Sequence, residues 1–207
     1  MHTSSLVETT RRISDTIAKQ HADDVDKNAR FPSETIAALR GEHLLSAYVP
    51  AELGGAGCSF LELMGMCQAL GRRCAAAGMV FAMHQIKVGS LVHHATSSTY
   101  FCRYLQELAD KQLLIASVTS EQGVGGSMRT SICSVERKPK AHGSDPQICT
   151  VKKDATTVSY ADHADDFLLT ARSGPDAPAS DQVLVLLRRS DMVRTQTGEW
   201  DTLGMRG

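Results

Sequence analysis

A chain of 207 residues, 42% hydrophobic and 22% charged, has the makeup of an ordinary globular protein and is long enough for one large domain or two small ones. Its formal net charge of −1 gives no electrostatic case for a nucleic acid or an acidic lipid surface as partner. The six cysteines (Cys58, Cys67, Cys74, Cys102, Cys133 and Cys149) form no C-x-x-C pair, which fits buried free thiols better than a disulfide frame or a zinc site.

Residues 4 to about 29 carry a sparse apolar stripe, Leu6, Ile13, Ile17 and Val25, that predicts an exposed helix. Phe31-Pro32 interrupts it, and a short second helix is expected through Arg40, with Ile36 and Leu39 inward and Gly41 as its cap. Leu44, Leu45 and Val49-Pro50 read as an extended buried connection. It leads to a glycine-rich turn at residues 51–57, which no lysine follows to make a P-loop.

Ser59 and Glu62 have the spacing of a capping box, opening a helix to about Cys74 whose apolar face is Leu63, Cys67, Leu70 and Cys74. Residues 76–95 predict a further helix with Met79, Met83, Ile86 and Leu91 inward. His84 lies near that face as a satisfied core histidine, and the methionine stripe reads as core. A last helix over residues 98–109 buries Phe101, Leu105 and Leu108. The eight histidines show no H-E-x-x-H, and adjacent His93 and His94 point to different helix faces, so no metal centre is expected. No apolar run is read as membrane-spanning. With no signal-peptide core, and with Glu8, Asp15, Asp23 and Asp24 near the start, a soluble cytoplasmic chain is expected.

Near residue 112 the helical period gives way to short strands. These are expected at 113–118, 130–137, 147–152, 155–159, 167–171 and 183–187, with loops at 138–146 and 173–181. The fold class is therefore α+β, a helical half followed by a β half rather than alternating units. Between the first two strands lies ASVTSEQGVGGSMRTS, residues 116–131. Its hydroxyls and its glycines at 123, 125 and 126 expose backbone N–H groups suited to an anionic, oxygen-rich ligand. A dinucleotide fingerprint needs a glycine where Met128 sits and a helix immediately after, so that reading fails, and an ordinary glycine hairpin loop stays open beside a nucleotide cradle.

These pieces, in this order, resemble the N-terminal half of an acyl-CoA dehydrogenase. The matching residues are Phe31-Pro32, Leu44-Leu45, Val49-Pro50, Glu52, Gly54-Gly55, Gly57 and Leu70-Gly71-Arg72. They continue through Thr119-Ser120-Glu121, Gly125-Gly126-Ser127, Ala164-Asp165, Ala171-Arg172 and Leu203-Gly204-Met205-Arg206-Gly207. The resemblance implies a helical N-terminal domain over residues 1–112 and a flavin-binding middle β domain over 113–207. That second domain is expected to be a cut-short antiparallel barrel-like fold, and the C-terminal helical domain is expected to be absent.

FAD is the implied cofactor and an acyl-CoA thioester the implied substrate. Ser117, Thr119 and Ser120 match contacts to the flavin's polar edge, and Thr157 and Ser159 match further flavin contacts. Gly125, Gly126 and Ser127 match the approach to the pyrophosphate, with Gly126 and Ser127 also on the thioester side. Three positions depart from the family pattern: Thr157 stands for a tryptophan, Gly126 for a serine and Ser127 for an aspartate. No residue matches the family's catalytic glutamate, and Glu121 is expected to brace its own loop. The implied activity is α,β-dehydrogenation by a truncated or split product with impaired activity. A flavin-dependent monooxygenase using reduced FMN, or a non-catalytic interaction module, are the alternatives. A homo-oligomer is expected where the C-terminal bundle is supplied.

Overall fold

The computed structural model describes residues 4–138, 148–198 and 205–206. Two compact units divide them. One holds the chain up to Ile115, together with Asp162–Asp165 and the described residues after Met192, and the other holds Ala116–Ala161 and Asp166–Met192.

The first unit is helical. Helices α1 (Ser4–Ile13) and α2 (Lys19–Lys27) are joined through a π turn at Ser14–Ala18, where the Ser14 hydroxyl donates to the Ala69 carbonyl at 2.5 Å. Helix α3 (Ser33–Gly41) starts directly after Pro32, whose fixed φ suits a helix entrance. Gly41 is the last helical residue, not the cap; Glu42 takes that place and His43 follows with φ +56°. Helix α4 (Phe60–Gly71) opens on the expected capping box. The Ser59 Oγ accepts from the Glu62 N–H, and the Glu62 carboxylate accepts from the Ser59 N–H at 2.9 Å. Helices α5 (Ala75–His94) and α6 (Thr99–Lys111) complete the unit, and Gln112 leaves α6 in the left-handed region at φ +52°.

The inward face of α5 is not the methionine stripe. Met79 and Ile86 are exposed (43% and 61%) and Met83 is half-buried; Leu91 is buried as expected, together with Ala77, Val80, Phe81, His84 and Val88. The helix is apolar nearly all round, so its period says little about which side packs. Backbone approach settles it: a Cβ on Gly78 would lie 2.8 Å from the Gly71 backbone, so α4 meets α5 where both lack side chains. Alone, α5 is long and apolar enough to cross a membrane, contrary to the sequence reading, but half of that window is buried within the unit, as in a core helix.

Residues 44–50 form successive turns rather than the expected extended run, with Ala47 N–H donating to Leu44 and Val49 N–H to Ser46. The polar groups this leaves in the core are met by three side chains. His84 is fully buried; its Nε2–H donates to the Leu45 carbonyl at 2.8 Å and its Nδ1 accepts from the Ile115 N–H at 3.1 Å. Gln85 Nε2 donates to the Leu44 and Leu45 carbonyls, and Gln112 Oε1 accepts from the Leu45 N–H. Burial pushes His84 down to about 4, so this core histidine stays neutral.

The second unit carries a three-stranded sheet of order β1 (Ile115–Val118), β4 (Asp166–Arg172), β5 (Gln182–Arg188), and a short antiparallel pair β2 (Glu136–Arg137) and β3 (Cys149–Thr150). β4 and β5 are antiparallel, with Leu169 opposite Val185 and Asp166 opposite Arg188. The α+β class stands, but no closed barrel is formed among the described residues. Of the expected strand at 130–137 only β2 forms, and of that at 147–152 only β3; Gln147 lies outside the described residues. Residues 155–159 are irregular, because the Thr157 backbone pairs with a side chain instead of a neighbouring strand. All six cysteines are free.

Candidate functional site

The glycine loop leaves β1 through Ser117, Val118 and Thr119, and its shape is set by what holds its two ends. Glu121 holds both. Its carboxylate is buried and accepts from the backbone N–H groups of Ile132 (2.9 Å) and Cys133 (2.6 Å), closing the loop exit onto the loop entrance. The Lys153 ammonium adds a third donor at 3.3 Å; the two side chains are 5% and 3% exposed. Burial alone would raise the Glu121 carboxyl, but these donors outweigh it and hold it below the ordinary carboxylate value.

Lys153 is itself satisfied, donating to the Thr170 carbonyl at 2.9 Å in β4. Such a paired, fully bonded buried charge breaks at high cost when one partner goes. Glu121 therefore braces the loop, as its place in the sequence suggested. Lys153 was not legible there: it is one lysine of an adjacent pair, 32 residues from its partner, with no local spacing to mark it.

Within the bracket the backbone turns left-handed at Gly123, Gly125 and Gly126 (φ +86°, +63° and +83°), a region that side chains rarely adopt. A Cβ at Gly125 or Gly126 would meet no atom within 4 Å, so the space beside these two residues is open. Their N–H groups donate to no acceptor among the described residues, and Ser127 beside them is exposed. The loop thus offers unused donors to an anionic group, as a backbone nest does.

The hydroxyl residues divide into two sets. Ser120 is engaged: its Oγ donates to the Thr157 carbonyl at 2.5 Å and accepts from the Thr157 N–H at 3.1 Å. It ties residue 157 beside the loop entrance instead of offering a free hydroxyl, and the exposed Thr157 side chain lies 3.5 Å from the Thr156 hydroxyl. Ser117 is buried on β1, Thr119 is half-buried after it, and Ser159 is half-buried beyond Thr157. The structure therefore gathers 117–127 and 157–159 in one unit, through the Ser120–Thr157 bonds and a Gln122 N–H to Asp154 carbonyl bond of 2.9 Å. Of the resembling motif near the end of the chain, Leu203-Gly204 and Gly207 lie outside the described residues.

Residues 2–112 match the model of the acyl-CoA dehydrogenase N-terminal domain, more than half of the chain. The chain belongs to the acyl-CoA dehydrogenase family. A protein named as a probable acyl-CoA dehydrogenase from Mycobacterium leprae is 28% identical over 142 residues, covering 69% of this chain and 35% of that one. Among solved structures, FMN-bound TdsC from a Paenibacillus species superposes with a TM-score of 0.82 at 19% identity, covering 98% of this chain and 48% of that one. The FAD complex of PigA superposes with a TM-score of 0.70 at 20% identity, covering 90% of this chain and 48% of that one. Both likenesses are of fold. The chain spans about a third of the length of that curated relative and about half of the solved ones.

For a flavin nucleotide, the chain's own geometry fits at the loop. The left-handed glycines leave open space and unused N–H donors, which is the chemistry a phosphate or pyrophosphate takes. At Ser120 the fit is indirect, since its hydroxyl is already spent on positioning residue 157.

Proposed function

We propose that this acyl-CoA dehydrogenase family member is the flavin-binding portion of an oxidoreductase that uses FAD to oxidise an acyl-CoA thioester between its α- and β-carbons. The observation that carries this reading is the braced glycine loop, with open space at Gly125 and Gly126 and amides that find no acceptor among the described residues. When bound, FAD supplies the hydride acceptor. Gly125 and Gly126 offer N–H groups to its pyrophosphate, and Ser117 and Thr119 offer hydroxyls to the polar edge of its ring. Ser120 holds the Thr157 backbone through two hydrogen bonds, and Thr157 and Ser159 would add further contacts to the bound flavin. Gly126 and Ser127, small and open, leave room for the thioester.

The substrate α-proton needs a carboxylate base within hydrogen-bonding reach. Glu121 is not that base: its two oxygens are taken by Ile132, Cys133 and Lys153, which hold it ionised and out of reach. On the same reading the protein is cytoplasmic, and a homo-oligomer where the C-terminal helical bundle is supplied.

A second reading is favoured by the superposition on FMN-bound TdsC, a protein described as a dibenzothiophene monooxygenase. In it the same loop takes a mononucleotide phosphate, and the flavin serves oxygen chemistry. Fluorescence-quenching titrations of the purified chain with FAD and with FMN separate these outcomes. Tighter binding of FAD, with a shift of the bound flavin's absorbance bands on adding an acyl-CoA under nitrogen, supports the first reading. Tighter binding of FMN, with oxygen uptake on reduction, supports the second. Binding of neither overturns both and leaves a non-catalytic interaction role.

A further inference from the structure

The buried cluster behind the glycine loop contains a thiol as well as an ion pair. Cys133 Sγ lies 3.8 Å from Lys153 Nζ, and both point at one carbonyl, that of Thr170, at 3.5 Å from the sulfur and 2.9 Å from the nitrogen. Sulfur and amine are thus held side by side by a shared acceptor, with the Glu121 carboxylate 3.3 Å from the amine. Cys133 is 7% exposed, so the pair is shielded from large reagents while a small oxidant can still approach. An ordinary structural lysine needs the carboxylate and the carbonyl; it has no need of a thiol at its side.

We propose that Cys133 and Lys153 are a covalent modification site, at which hydrogen peroxide joins them through a single oxygen atom as a sulfur–oxygen–nitrogen bridge. The proposal does not depend on the flavin reading. Its steps balance. One peroxide gives an oxygen to the Cys133 sulfur: the O–O bond breaks, an S–O bond forms, the thiol becomes a sulfenic acid and water leaves. Lys153 gives up its extra proton to solvent. A second peroxide then oxidises the neutral amine to a hydroxylamine, forming an N–O bond and releasing water. The hydroxylamine oxygen displaces the sulfenic hydroxyl from sulfur, and a third water leaves. The product holds one oxygen more and two hydrogens fewer than the thiol and amine together, and thiol reductants reverse it.

Burial pushes the Cys133 thiol up, against the pull of the Lys153 ammonium, so the first step is slow and the site answers sustained oxidant rather than a brief pulse. The bridge removes the ammonium that faces Glu121 and replaces a hydrogen-bonded contact with a covalent staple across the loop exit.

The test is peptide mass spectrometry of the whole chain after peroxide treatment at neutral pH, digested without reductant. The expected product is a cross-linked pair, one peptide containing Cys133 and the other Lys153, heavier than their sum by one oxygen less two hydrogens. It should disappear on reduction and be absent from Cys133→Ser and from Lys153→Arg. Sulfenic or sulfinic acid on Cys133 with no cross-link in the wild-type chain overturns the proposal, as does a cross-link that carries no oxygen. Because the deciding measurement is made on the wild-type chain, poor folding of a variant does not blunt it.

Discussion

His84 makes acid stability a direct reading of the helical core. Its ordinary value of 6.5 is pushed down by burial to about 4, while both ring nitrogens keep their backbone partners at Leu45 and Ile115. In the unfolded chain this imidazole binds a proton near its ordinary value; in the folded chain it does not. The folded value is the depressed one, so the contribution to stability is present above about 6.5 and falls as pH drops towards 4. Between pH 7 and pH 5 the difference comes to about 2 kcal/mol, a large part of a small domain's stability.

The perturbation is His84→Asn, and the assay is urea unfolding of both chains at several pH values across that range. The variant is less stable at neutral pH, by about 1–3 kcal/mol, because it removes the imidazole bonds to the Ile115 N–H and to the Leu45 carbonyl, which keeps only its Gln85 donor. Its stability changes less between pH 7 and pH 5 than that of the wild type, by the 2 kcal/mol that His84 supplied. A variant with the same pH slope as the wild type, or a His84 ring that titrates near 6.5 by NMR, refutes the reasoning.

Three further outcomes are expected. Glu121→Ala strands two backbone N–H groups and a buried ammonium and costs about 3–5 kcal/mol, whereas Lys153→Met leaves Glu121 two of its three donors and costs about 2–3 kcal/mol. Equal losses in urea unfolding would count against the bracing role, and the Glu121 contribution, resting on a lowered carboxyl, is present above the ordinary carboxylate value and disappears as acid takes the pH through the folded one. Gly126→Ala places a side chain at φ +83° and costs about 1–2 kcal/mol while weakening flavin binding several-fold; unchanged FAD titration would separate the loop from the cofactor. Gly55→Ala drives a Cβ into the Val49 carbonyl, a clash with backbone that costs about 1–3 kcal/mol or more and should appear as a lower Tm.

What the sequence by itself determined was local. The Ser59–Glu62 capping box, the entry of α3 behind Pro32 and the passage from helices to strands near residue 112 depend on residues within a turn or two of one another, and the chain carries those signals in order. The bracing part of Glu121 and the satisfied state of His84 were also legible, because a carboxylate at a glycine loop and a histidine among apolar neighbours have few other settled places. Tertiary packing decided the rest. Which side of α5 is buried followed from the backbone contact of Gly78 with Gly71, since a helix apolar on nearly every face carries no period to choose by. The spending of Ser120 on Thr157 and the meeting of Glu121, Cys133 and Lys153 join residues 12 to 37 positions apart. No propensity or spacing rule reaches that far; only the folded chain brings those groups within bonding distance and gives the buried charge its partner.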